Sequence, residues 1–232
     1  MQHIFSSLIW IFLFGLQACT GNLYNQLSDI AEGKDGKLIF VTKSNLNGNL
    51  LAEAQNFFPQ CSGLSFSEQA ADCICQAEAD AAGSSFPKKG LKFHAMLFST
   101  AADLRCKIQG IDSTVCDPLQ SDDMIYGFPT GFIDCGPDGC ATPVPLAKNI
   151  QDLLAGKNIL HSLTFDSPDN RVWTGANGNG NSSGQNCNDW TSNQATFTGS
   201  LGFPWHTNAG FLGGTDAQGC DLSAHLLCIE EF

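Results

Sequence analysis

The stretch HLLCIEEF (225–232), read with GQNCNDW (184–190), AQGCDL (217–222) and the tryptophan-bearing RVWTG (171–175), decides the fold. An apolar run with a cysteine at its centre, Leu226, Leu227, Cys228 and Ile229, lies where a chain end would otherwise fray. A crosslink at Cys228 anchors that run in the core, and Cys187 and Cys220 bracket the segment before it. The last third of the chain therefore reads as structural.

Working outward, AADCICQAEADAAG (70–83) offers a helix and LKFHAMLFST (91–100) a strand. These two segments, with VWTGANGNG (172–180), CNDW (187–190) and LLCIEE (226–231), resemble in order the endostatin module of collagens. The resemblance is closest to the leptospiral endostatin-like surface lipoproteins and covers about residues 38–232. It implies an α+β, C-type-lectin-like fold: a mixed, mostly antiparallel sheet, two or three helices, long loops and disulfides. It also implies nested bridges, Cys75 to Cys228 and Cys187 to Cys220; spacing alone does not select a pairing. Cys73 and Cys75 project about 200° apart on a helix and need different partners. With Cys75 in the family's core position, Cys73 is left to meet Cys61.

At the front, residues 4–16 are almost wholly apolar, shorter than the roughly 20 residues that span a bilayer, and read as the core of a signal peptide over 1–18. Leu16, Gln17, Ala18 and Cys19 resemble a bacterial lipobox, with Cys19 as the lipidated residue. Gln17 departs from the strict pattern, and the preceding segment carries His3 in place of Lys or Arg. The alternative is an ordinary signal peptide with an incidental Cys19. Parity favours lipidation: of eleven cysteines, setting Cys19 aside leaves an even number for bridges. The expectation is an exported protein, lipid-anchored to a bacterial outer membrane, with a polar tether over 19–37 and one domain over 38–232.

Eleven basic against twenty-three acidic residues give a net charge of −12, which disfavours nucleic acid and anionic membranes as partners. The chain has two arginines, Arg105 and Arg171, so the heparin binding of vertebrate endostatin is not expected here. Lys88, Lys89 and Lys92 form the single basic cluster, and its plain reading is a solvated rim before a strand.

Along the chain, KLIFVT (37–42) predicts a first strand and Asn45–Asn49 a turn. Ser65 with Glu68 forms a capping box for a helix ending at Gly83. The alternation over Leu91–Phe98 predicts a strand covered on both faces. A short helix starts at Thr100, with Asp103 in the capping position, and ends near Gly110. Residues 112–145 depart from the endostatin pattern and read as a stapled insertion. Within it Cys135 and Cys140 flank the turn GPDG, which brings them near bridging distance, and Cys106 with Cys116 is the remaining pair. Leu146, Ile150, Leu153 and Leu154 suggest a helix ended by Gly156; residues 158–165 and 171–174 suggest strands. Residues 175–194 are a long loop held by Cys187 and Trp190.

Three chemistries compete for these residues. Structural zinc needs paired CxxC motifs that are absent from the sequence, and no metal site is expected. Calcium-dependent glycan binding has oxygen donors in Asp166, Asp169, Asn177, Asn179, Asn181 and Asp189, without the triplet that C-type lectins use; calcium stays a possibility without a motif. Catalysis lacks HExxH spacing and a nucleophile elbow, and His94 reads as a satisfied structural histidine, so no catalytic residue and no cofactor are assigned. What stands is a non-catalytic binding module, with host extracellular-matrix or plasma proteins (laminin, fibronectin, plasminogen, complement factor H) as the partners that the resemblance implies. A lectin or cell-envelope binding protein is the alternative. The candidate contacts are Lys88 and Lys89, with the loop aromatics Phe197, Phe203, Trp205 and Phe211. For these aromatics the competing reading is packing of the loops on themselves.

Overall fold

The computed structural model describes residues 36–82, 90–100, 103–111, 113, 115–117, 119, 121–133, 135, 136, 139–214 and 216–232. The signal peptide, Cys19, nearly all of the tether, and Lys88 and Lys89 lie outside the described residues. The elements are β1 (Gly36–Val41), α1 (Leu50–Phe57), α2 (Ser67–Ala81), β2 (Phe93–Ala95), α3 (Leu104–Lys107), β3 (Met124–Phe132), β4 (Cys135–Gly136), β5 (Gly139–Cys140), β6 (Val144–Ala147), α4 (Ile150–Leu154), β7 (Val172–Trp173), α5 (Cys187–Trp190), β8 (Thr198–Gly202), β9 (Ala217–Gly219) and β10 (His225–Glu230). The fold is α+β, with a mostly antiparallel sheet and several disulfides. Among the described residues no helix is long and apolar enough to cross a membrane.

The main sheet runs β6-β3-β1-β10-β7-β8-β9, with β2 also beside β10. β10 lies at its centre. It pairs antiparallel with β1, Phe40 opposite Cys228, then antiparallel with β2 and parallel with β7. All six of its residues are buried. The period of two sorts the side chains: Leu38, Phe40, Leu226 and Cys228 join one apolar cluster, and Ile39, Val41, Leu227 and Ile229 the other. A central strand covered on both faces needs apolar residues throughout, as LIFV and LLCI supply. On the first face α2 contributes Ala70, Ala71, Ile74 and Cys75. On the second face lie Leu104 of α3 and Ile150 and Leu153 of α4.

Five bridges staple the layers: Cys61–Cys73, Cys75–Cys228, Cys106–Cys116, Cys135–Cys140 and Cys187–Cys220. Cys75–Cys228 joins α2 to the central strand across 153 residues of sequence.

Several local expectations change. Among the described residues there are five helices, four of them with eight residues or fewer, in place of two or three. α2 starts two residues after Ser65 and has no capping box; Phe66 occupies the cap position in an extended conformation, and Ser67 Oγ donates to Asp189 O at 2.6 Å. α1 was not expected at all, although Asn49 caps it by accepting from Ala52 N at 3.0 Å. The strand expected over 91–98 shortens to β2, while Met96 and Phe98 beyond it are buried as the alternation required. The short helix expected from Thr100 to near Gly110 shrinks to α3, starting at Leu104, where Asp103 is itself the N-cap and accepts from Arg105 N at 2.8 Å. Leu146 belongs to β6 rather than to a helix, because Asn149 caps α4 three residues later by accepting from Asp152 N. Residues 158–165 form no strand: Ile159 makes a single bridge with Ala147, and Leu163 N turns instead to Pro204 O. Residues 112–145, read as an insertion, supply β3 and the first two residues of β6 to the main sheet, with Phe128 fully buried.

Candidate functional site

The loop from 175 to 194 is fixed to the scaffold at several points. Trp190 is buried and its indole donates to Phe98 O at 3.0 Å; Trp173 does the same to Leu46 O at 2.7 Å. The Cys187–Cys220 bridge is packed so closely that a Cβ at Gly48 would overlap Cys187 Sγ and one at Gly199 would come within 2.8 Å of it. The four residues of α5 have φ of +51°, +55°, +54° and +59°, a full turn of left-handed helix. Each L-residue held so costs roughly 1–2 kcal/mol, less for Asn and Asp. The turn survives because its bridge, its buried indole and the Asp189 carboxylate all hold it. That carboxylate accepts from Thr100 N at 2.8 Å, from Thr100 Oγ1 and from Asn186 Nδ2 at 2.6 Å.

The side-chain oxygens of Asn177, Asn181 and Asp189 are thus engaged inside the protein. Asn177 Oδ1 accepts from Asn179 N at 3.0 Å and from Asn181 N at 3.2 Å, and Arg105 donates to Asn181 Oδ1 and Gly180 O. Among the described residues no group of three His, Cys, Asp or Glu side chains is placed to hold a metal ion. The calcium reading draws no support from a converging set of ligands.

The loop aromatics divide. Phe211 is a correction: it is fully buried in the second apolar cluster and presents nothing to a partner. Its position explains this, because the 3-10 turn Ala209–Phe211 folds back so that Phe203 N donates to both Gly210 O and Phe211 O. Phe203, Trp205 and His206 form a half-exposed knot, with Phe203 edge-on to Trp205 at 5.2 Å and tilted over His206 at 5.4 Å. Phe197 is 41% exposed. Larger exposed apolar side chains escaped notice in the sequence: Phe57 at 68%, Phe66 at 63% and Phe165 at 71%. Phe57 ends α1 on the same stripe as the buried Leu50 and Ala54, where spacing alone would have buried it, and Phe66 is the extended residue ahead of α2.

A cavity of about 320 Å³ opens between Lys43, Thr130, Phe132 and His225. His225 is buried with Nδ1 3.1 Å from Ser44 O and Nε2 2.9 Å from Asp169 O, and Phe132 meets it edge-on at 5.5 Å.

A second polar cluster is built around β2. His94 sits between two carboxylates, with Nδ1 2.9 Å from Asp72 Oδ2 and Nε2 2.9 Å from Glu231 Oε2. Asp72 Oδ1 also accepts from Ala95 N at 2.8 Å and pairs at 2.7 Å with Lys107, an almost wholly buried lysine whose ammonium reaches Glu68 O at 3.2 Å. Burial lowers the His94 pKa, but the hydrogen bond and charge of Asp72 and the hydrogen bond of Glu231 outweigh it and the opposing charge of Lys107, and the net direction is upward. The Glu231 carboxyl is held below its ordinary range, chiefly by the His94 hydrogen bond, against burial and with help from Lys92. The sequence marked His94 as structural; Lys107 gave no signal, because nothing local distinguishes it from a surface lysine.

The chain matches no protein-family model. No characterised protein matches it either.

Proposed function

We propose that this chain is a surface-displayed, non-catalytic binding module of the endostatin-like class with a C-type-lectin-like domain, exported and lipid-anchored through Cys19 to a bacterial outer membrane. Its partners are host extracellular-matrix or complement proteins of the laminin, fibronectin, plasminogen and factor H kind. The observation that carries the reading is the set of exposed aromatics, Phe57, Phe66, Phe165 and Phe197, on the margins of a scaffold stapled by five disulfides. Aromatic side chains on a rigid frame bind with little ordering cost, and Phe is among the residues enriched where proteins meet. The five segments that resemble, in order, those of the endostatin-like lipoproteins support the partner class.

A lectin or cell-envelope role is the second reading, favoured by the cavity between Lys43, Phe132 and His225, which has the size of a small-ligand site. Equilibrium binding of the oxidised protein to the four host proteins and to a glycan panel, each with and without a calcium chelator, separates the two. Saturable, chelator-insensitive binding to a host protein is expected, and F57A/F66A should weaken it. Glycan binding with silence toward every host protein would replace this reading with the lectin. Metabolic labelling with a palmitate analogue tests the anchor: the label should disappear in Cys19→Ala.

A further inference from the structure

We propose that Asp72, His94, Glu231 and Lys107 form a pH-operated clasp that fastens Glu231 and Phe232 against α2 and α3 and loosens them as the pH rises. The geometry demands two donors from one ring. Both His94 nitrogens lie 2.9 Å from carboxylate oxygens, and an ionised carboxylate only accepts. The doubly protonated ring satisfies both arms. A neutral ring keeps one N–H and turns a lone pair toward the other carboxylate.

The two arms are unequal. Asp72 retains Lys107 at 2.7 Å and Ala95 N at 2.8 Å, both well shielded, so the remaining N–H stays with it. Glu231 retains Lys92 at 3.5 Å, and the Lys92 side chain is 73% exposed, so water and salt screen that pair. The Glu231 arm therefore opens first. Around it the main chain is held by Glu231 N to Lys92 O at 2.9 Å, Phe232 N to Ile108 O at 2.8 Å and Lys37 Nζ to Glu231 O at 2.6 Å. The charges facing the ring are Asp72 from α2, Lys107 from α3, Lys92 ahead of β2 and Glu231 after β10. Lys37 and Glu230 pair beside them at 3.5 Å, and Arg105 on α3 turns to Asp103.

The directions bound the closed state. His94 is raised above 6.5, so its contribution is complete below 6.5 and is lost as pH climbs through the raised value. Glu231 is lowered below 4.5, so its contribution is complete above 4.5 and is lost as pH falls through the lowered value. The clasp is shut between those limits and opens on either side.

The test follows the His94 ring resonances and the amide exchange of Phe232 by NMR across this range in the oxidised protein. The expected result is a His94 midpoint above 6.5 and a drop in Phe232 protection, relative to its intrinsic exchange rate, at that same midpoint. Each unit of offset corresponds to about tenfold in protection. Glu231→Gln should lower the midpoint and flatten the protection profile. It alters a residue near the chain end and leaves the Asp72 arm intact, so it serves even if His94→Gln fails to fold. A midpoint at or below 6.5, protection indifferent to the titration, or an unchanged midpoint in Glu231→Gln would overturn the clasp.

Discussion

Two aromatic groups of the C-terminal third meet opposite fates. Trp173 and Trp190 approach at 5.9 Å and are fully buried, whereas Phe203, Trp205 and His206, just past the end of β8, stack on one another and stay half exposed. The buried pair has a carbonyl waiting for each indole N–H, at Leu46 and Phe98. An indole enters a core at low cost only when its N–H is satisfied there. Aromatic content alone thus does not separate anchor from contact surface; the partner contributed by a remote segment does.

The sharpest break of this contrast is Trp190→Ala, which should cost about 3–5 kcal/mol in urea or thermal unfolding, since it removes a buried ring, its hydrogen bond and a support of the left-handed turn. Replacing both Cys187 and Cys220 with Ala comes next, at roughly 3–4 kcal/mol from the entropy of a loop spanning 33 residues, read from the same curves. Asp189→Ala should cost about 1.5–3 kcal/mol, because it takes the acceptor from Thr100 and Asn186 while leaving the bridge in place. At the other end of the scale, Trp205→Ala should change stability by less than about 1 kcal/mol, as expected for a half-exposed side chain. A cost near that of Trp190→Ala would erase the contrast between the two groups.

Much of the frame was legible because it rests on period and composition. LIFV read as a first strand and LLCI as a run anchored in the core, and they occupy the centre of the sheet. The turn GPDG placed Cys135 beside Cys140, and Asp103 marked a real cap. Illegible were features that depend on contacts far along the chain. Ser65 looked like a cap, but Ser67, two residues on, is tied to Asp189 O across 122 residues. Phe203 and Phe211 look alike in sequence, and only the fold-back at Asn208–Phe211 buries the second. Lys107 became a buried cation because Asp72 lies opposite it on another helix. Loop aromatics and lone charges take their meaning from tertiary neighbours, which no local pattern encodes.

The turn at Cys187–Trp190 is, in backbone terms, the mirror image of an ordinary helical turn, and this inverts the usual rule of chirality at one spot. A D-residue, which breaks helices elsewhere, has the preferred handedness here. Chemical ligation of a chain carrying D-asparagine at position 188 should give a protein at least as stable as the natural one, while the same inversion at Ile74 in α2 should prevent folding.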